Sequence, residues 1–192
     1  MQNFNKFCVP TKVIVMGDSG VGKTCMLQCL KEFQRNGKKV LTEPVASTIG
    51  VNFVRLMKGD VALNVWDTAG AERFRSISKC YARGANLCLL AFDTLNSLHN
   101  CINWAALLRE TSPDCKVILV RTKQDIISPA FDEDLEVVMN KTGAFGLTAV
   151  SCVTGSGVEE LFETLFEVGP QSRPQEHDMK IVPSERQFRW CC

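Results

Sequence analysis

Eight consecutive residues, Gly17-Asp18-Ser19-Gly20-Val21-Gly22-Lys23-Thr24, constrain this chain more than any other stretch. They satisfy the pattern Gly, four residues, Gly-Lys-Ser/Thr. Before them lies an apolar β-type run, Val13-Ile14-Val15-Met16. After them, Met26, Leu27, Leu30 and Phe33 recur at helical spacing. Strand, glycine-rich loop and helix in that order make a phosphate cradle. The glycines let backbone N–H groups turn inward, the helix N-terminus adds partial positive charge, and Lys23 reaches the outer phosphates. Ser19, Gly20, Val21, Gly22, Lys23, Thr24 and Cys25 are the expected phosphate-side contacts, with the Thr24 hydroxyl left to hold a magnesium ion.

The chain has 192 residues, 45% of them hydrophobic, enough for one good core and hence one domain plus a tail. A net charge of +1 gives no global attraction to nucleic acid or anionic lipid, and no nucleic-acid partner is expected. Most of the ten cysteines are scattered singly through apolar runs, without CxxC spacing. The segment Met1 to Pro10 is polar and short, so it does not read as a secretory signal. The cysteines are therefore expected to be small buried hydrophobes in a reducing cytosol. No apolar run approaches the roughly 18 to 20 residues that would span a bilayer.

Further along, Phe53 to Met57 and Val61 to Trp66 read as strands joined by Lys58-Gly59-Asp60, an antiparallel hairpin. Asp67-Thr68-Ala69-Gly70 ends the second of them at a carboxyl edge, where doubly wound sheets bind ligands. Glu72 to Tyr81 reads as a short helix, and Leu87 to Phe92 and Val117 to Val120 as strands buried on both faces. The helix carrying Leu98, Ile102, Ala105 and Leu108 is closed by Pro113. Asp132 to Lys141 is a helix, Leu147 to Val150 a short last strand, and Val158, Leu161, Phe162, Leu165 and Phe166 stripe the final helix. This alternation predicts an α/β fold, three layers about a six-stranded, mostly parallel sheet with one antiparallel hairpin strand. Residues 1–168 form the expected domain. From Gly169 to Cys192 proline, glutamine, serine and charge replace periodicity, which predicts a flexible tail.

Together with the cradle, Thr48-Ile49-Gly50-Val51-Asn52-Phe53, Trp66-Asp67-Thr68-Ala69-Gly70, Glu72-Arg73-Phe74-Arg75-Ser76-Ile77, Tyr81-Ala82-Arg83-Gly84-Ala85 and the final Cys191-Cys192 resemble a Rab small GTPase of the Ras superfamily, a P-loop NTPase fold. The resemblance implies GTP and GDP as ligands with Mg2+. Thr24 and Thr48 would ligate the metal, with Asp67 acting through a water, as suits a hard cation. Gly70 would donate its N–H to the γ-phosphate, so that two loops order and relax with that phosphate. Thr122-Lys123-Gln124-Asp125 is similar to the family's Asn-Lys-x-Asp. Asp125 would accept two hydrogens from guanine, and Lys123 would lie along the base. Ser151-Cys152-Val153 stands where the family has Ser-Ala-Lys, with the Cys152 N–H meeting the guanine oxygen. Ile49, Gly50, Phe53, Trp66, Phe74 and Tyr81 match the family's effector surface. Cys191 and Cys192 match a double geranylgeranylation signal, two lipid chains anchoring firmly where one is marginal.

The implied partners are a Rab-type exchange factor, a GTPase-activating protein, a dissociation inhibitor or escort protein, and effectors. The implied location is the cytosolic face of vesicles and endomembranes. Three departures qualify the activity. Ala71 stands where the family has its water-positioning glutamine, so of the catalytic set Lys23, Gly70 and residue 71 one member is chemically mute, and hydrolysis is expected to be weak. Thr122 replaces an asparagine that ties the base loop to the phosphate loop, and Val153 replaces a lysine, both expected to loosen guanine binding. Relative to the family the Thr24–Thr48 connection is longer and the hairpin shorter. These departures leave a second reading, a pseudo-GTPase scaffold that does not cycle. A P-loop kinase or ATPase is a third reading, disfavoured by Asp125 and by the lack of a segment for a lid.

Overall fold

The computed structural model describes residues 9–41, 45–46, 48–70, 75–126 and 132–171. Among these residues six strands alternate with five helices: β1 (Thr11–Met16), α1 (Lys23–Asn36), β2 (Val51–Lys58), β3 (Val61–Thr68), α2 (Arg75–Ala82), β4 (Leu87–Phe92), α3 (Leu95–Arg109), β5 (Lys116–Arg121), α4 (Asp132–Thr142), β6 (Ala144–Ala149) and α5 (Val158–Gln171). The strands form one sheet in the order β2-β3-β1-β4-β5-β6. Only β2 and β3 pair antiparallel, with Phe53 opposite Trp66; every other pair is parallel. The expected six-stranded α/β architecture, with its single antiparallel hairpin, is the one found.

Period-two alternation in the central strands builds both halves of the core. Val13 and Val15 of β1, with Leu87 and Leu89 of β4, face α1 and α5 and pack with Leu27, Leu161 and Leu165. Their neighbours Ile14, Met16, Cys88 and Leu90 face the opposite side and pack with Leu98, Trp104 and Leu108 of α3. This double burial is why β4 and β5 are continuous apolar runs. The carboxyl ends of β1, β3, β4 and β5 open on one edge, where Gly17, Ala69, Asp93 and Thr122 follow.

Two expectations change. α5 runs to Gln171, past the compositional break at Gly169, because Gly169 is buried where the helix crosses the sheet. A Cβ there would come 2.9 Å from Leu63 Cδ2 and 3.7 Å from Thr11 Cγ2. The sequence signal fails because glycine and proline ordinarily mark a helix end, whereas this glycine is required by close packing. The cysteines also differ from expectation: Cys29, Cys88, Cys101 and Cys115 are buried, but Cys80 is exposed and Cys25 and Cys152 are half-buried. Cys80 lies on the solvent side of α2, while Ser78 and Ala82 are its buried positions. Burial pushes the Cys101 and Cys115 thiols up to about 12, consistent with inert core residues.

Alanine normally favours a helix over glycine by about 1 kcal/mol. At position 169 it must instead displace a fully buried leucine, an overpacking cost of roughly 1–3 kcal/mol. Gly169→Ala is therefore expected to lower thermal stability, whereas an exposed tail residue would show no loss.

Candidate functional site

The loop after β1 is shaped by contacts that admit no side chain. Gly17 has φ +140° and a Cβ there would lie 2.2 Å from the Ala91 carbonyl oxygen, so the loop turns tightly over β4. α1 begins with Gly22 at its N-cap, which supplies no side-chain hydrogen bond, and the first turn holds no acidic residue. Its orphan N–H groups and dipole thus stand open to an anion. Lys23 is only 6% exposed, and its ammonium donates to the Gly17 carbonyl at 2.9 Å and the Asp18 carbonyl at 2.6 Å. Burial lowers its pKa to about 8 against the pull of Asp67, Asp18 and Asp93. An anion at the loop mouth would raise it again and favour the charged form further.

Three oxygens converge beside it. Thr24 Oγ1 donates to Asp67 Oδ2 at 2.7 Å, lies 2.5 Å from Thr48 Oγ1, and Thr48 Oγ1 is 3.4 Å from the same carboxylate oxygen. Asp67 is fully buried, and burial raises its pKa against the hydrogen bond from Thr24 and the charge of Lys23. Its Oδ1 has no hydrogen-bond partner. Two hydroxyls and a carboxylate with an unused buried oxygen are the donor set a magnesium ion takes beside phosphates, so the residues fit that metal. Gly70 closes the cluster: a Cβ on it would lie 2.4 Å from both Lys23 Nζ and the Asp18 carbonyl oxygen.

The base side is built from the ends of β5 and β6. Thr122 is buried, and its hydroxyl donates to the Val21 carbonyl of the phosphate loop, shared with the Phe92 carbonyl at 3.0 Å. The tie between base loop and phosphate loop that the family's asparagine makes is therefore made here by a hydroxyl. Sequence reasoning missed this because it matched residue type and overlooked that a shorter side chain suffices where the two loops approach closely. Lys123 adopts φ +53° and its ammonium pairs with Asp93 at 2.7 Å. The Ser151 hydroxyl donates to Asp125 Oδ1 at 2.5 Å and accepts from the N–H groups of Val153 and Thr154. A carboxylate offers about four lone-pair positions, so Asp125 retains acceptors for two hydrogens of a purine edge. Cys152 is half-buried, and the Val153 side chain is 69% exposed.

Phe53, Trp66 and Tyr81 form one cluster on the flank of the sheet, with ring centroids 4.9 Å apart for the first pair and 5.1 Å for the second. Phe53 and Tyr81 are 47% and 37% exposed, so the trio is a surface feature and not plain core. The short hairpin turn at Gly59 lies at the far end of β2 and β3 and leaves the Phe53–Trp66 pairing intact. Ile49 is 86% exposed, and the Gly50 carbonyl accepts from the Ala69 N–H at 2.9 Å. Ala71, Phe74, Cys191 and Cys192 lie outside the described residues.

Asp18 was not among the residues expected to matter, yet both its oxygens are engaged: Oδ1 accepts from Trp104 Nε1 at 2.8 Å and Oδ2 from Asn100 Nδ2 at 2.7 Å. The available signal was chemical, since a carboxylate inside a phosphate loop needs donors from elsewhere.

A phosphate cradle, a magnesium-type oxygen cluster and a carboxylate base loop on this sheet define a P-loop nucleotide-binding domain of the GTPase type. Residues 12–125 match the family described as Roc, the Ras of Complex domain of DAPkinase. The Ras-related protein Rab-34 of Sus scrofa is 36% identical over 166 residues, 79% of this chain and 61% of the relative. Rab-37 of Mus musculus is 33% identical over 198 residues, covering 94% and 85%. Rab-4 of Dictyostelium discoideum is 35% identical over 160 residues, covering 79% and 75%. The chain belongs to the Rab family of Ras-related small GTPases. It spans 61% of the length of the Rab-34 relatives it matches.

Thr122→Val keeps the side-chain shape and removes the donor to two buried carbonyls. It should cost about 1–2 kcal/mol of stability, seen as a lower Tm and faster nucleotide release. Thr122→Ser should retain most of both.

Proposed function

We propose that this protein is a guanine-nucleotide-dependent switch in membrane traffic whose GTP-bound form is long-lived. The observation that carries the switch is the convergence of Thr24, Thr48 and Asp67. Thr24 belongs to the phosphate loop and Thr48 to the segment before β2, so a ligand held by both couples the nucleotide to the surface at Ile49 and Phe53. A bound magnesium ion supplies charge neutralisation at the phosphate oxygens. Thr24 and Thr48 offer it hydroxyl oxygens and Asp67 a carboxylate through a water. Lys23 meets the outer phosphates, the Gly70 N–H donates to the terminal one, and Asp125 selects guanine over adenine. Loss of the terminal phosphate frees Thr48 and Gly70 together.

The long life of the GTP form rests on Ala71. A methyl group neither orients nor polarises an attacking water, and removing one preorganised polar group typically costs about 10²–10³-fold in rate. An arginine supplied by a partner finds no carboxamide to work with. Phe53, Trp66 and Tyr81, with Ile49, Gly50 and Phe74, form the proposed effector surface. Cys191 and Cys192 are the proposed acceptors of two geranylgeranyl groups, which together hold a membrane. Among the described residues no helix is long and apolar enough to cross one.

The test is the identity of the nucleotide that co-purifies with the chain, followed by single-turnover hydrolysis. Bound GTP, competition by GTP but not ATP, and very slow turnover are expected, and Ala71→Gln should raise the rate about 10²- to 10³-fold. Fast turnover in the unaltered chain removes the long-lived state. Turnover that stays absent in Ala71→Gln favours the non-cycling scaffold.

A further inference from the structure

The second residue of the phosphate loop carries a charge of the wrong sign for a loop that grips phosphates. Asp18 is half-buried, and both oxygens of its carboxylate are met from one face of α3. Trp104 Nε1 donates to Oδ1 at 2.8 Å and Asn100 Nδ2 to Oδ2 at 2.7 Å. The two donors are four residues apart, so they stand one above the other on the helix. Trp104 is 2% exposed and directs the single N–H of its indole at this carboxylate. The helix that presents them is fixed at its start. Thr94 and Ser97 form a reciprocal cap, the Ser97 hydroxyl donates to Asp93 Oδ1 at 3.0 Å, and Lys123 of the base loop pairs with Asp93 Oδ2 at 2.7 Å.

Backbone and side chain of Asp18 face different partners. Its carbonyl accepts from the Lys23 ammonium at 2.6 Å. Gly70 closes over that contact, since a Cβ on Gly70 would lie 2.4 Å from both atoms. Asp18 is also one of the three carboxylates whose charge Lys23 feels. A carboxylate released from α3 would have this ammonium as an alternative partner, beside its own carbonyl, and would repel a phosphate brought to the loop.

We propose that Asn100 and Trp104 are positioning residues of the phosphate site: by holding the Asp18 carboxylate against α3 they keep it from pairing with the Lys23 ammonium. Lys23 is thereby left to meet the outer phosphates of the ligand, a role that belongs to the proposed function and on which this inference rests. Packing alone would be satisfied by any large apolar side chain at position 104. A donor aimed at a carboxylate is needed only where that charge has to be held.

The test is a double-variant cycle read by nucleotide affinity in the full chain with magnesium present. Trp104→Phe keeps most of the ring volume and removes the donor. GDP affinity should fall by about tenfold or more, chiefly through faster release. Asp18→Ala in the same chain should return most of that loss, because the charge that the donor held is gone. GMP, which lacks the outer phosphate, should lose clearly less than GDP. No loss in Trp104→Phe, equal losses for GMP and GDP, or a loss that Asp18→Ala does not return overturns the proposal and leaves α3 a structural brace. Asn100→Ala, at a half-buried position, gives the same cycle where Trp104→Phe does not fold. The unaltered chain is first titrated with GDP, ADP and inorganic tripolyphosphate. ADP or tripolyphosphate bound as tightly as GDP overturns the guanine reading, and the cycle is then read with that ligand. Binding of none of the three overturns both.

Discussion

The ammonium of Lys23 is held out of water by the loop that carries it, and most of the site follows from what that charge demands. A buried cation needs carbonyls or carboxylates around it. The Gly17 and Asp18 carbonyls take its hydrogens, and Asp67, Asp18 and Asp93 set a favourable field. Asp18 in turn is a second charge needing donors, and it finds them on α3 in Asn100 and Trp104. One desolvated side chain thereby links the ends of β1, β3 and β4 to α3. The linkage accounts for a tryptophan, usually only packing material, buried with its indole N–H directed at a phosphate loop.

The same economy appears in β3. Successive residues of a strand point to opposite faces, so Asp67 enters the hydroxyl cluster while its neighbour Trp66 joins Phe53 and Tyr81 on the flank. Lys12, its ammonium 5.7 Å from the Trp66 centroid and donating to the Arg83 carbonyl, braces that flank from β1. A displacement of the β3 end is therefore felt on both faces, without a separate relay between the nucleotide side and the aromatic side.

How much of this was legible in the residues follows from the range of the interactions. The phosphate loop, the buried strands and the hairpin rest on local pattern, and their identity was readable, though ends moved by a few residues. β6, for example, begins at Ala144 where Leu147 was expected, since it alternates exposed and half-buried positions and carries no continuous apolar run. Long-range contacts were less legible. The Thr122 hydroxyl meets Val21 across 101 positions, and Asp18 meets Trp104 across 86. No periodicity encodes either. Gly169 misled for the opposite reason: a residue type with a strong local meaning was selected here by the side chain of Leu63.

The strap of chain that leaves α1 has a geometric consequence. Its first part is tied to the domain, Lys39 to Glu159 of α5 and the Leu41 N–H to the Cys152 carbonyl, so the chain leaving α1 is moored against α5 and the base-side loop. A shift of the purine-side loop is thus handed directly to the root of the segment that carries Thr48, through one backbone hydrogen bond from Leu41.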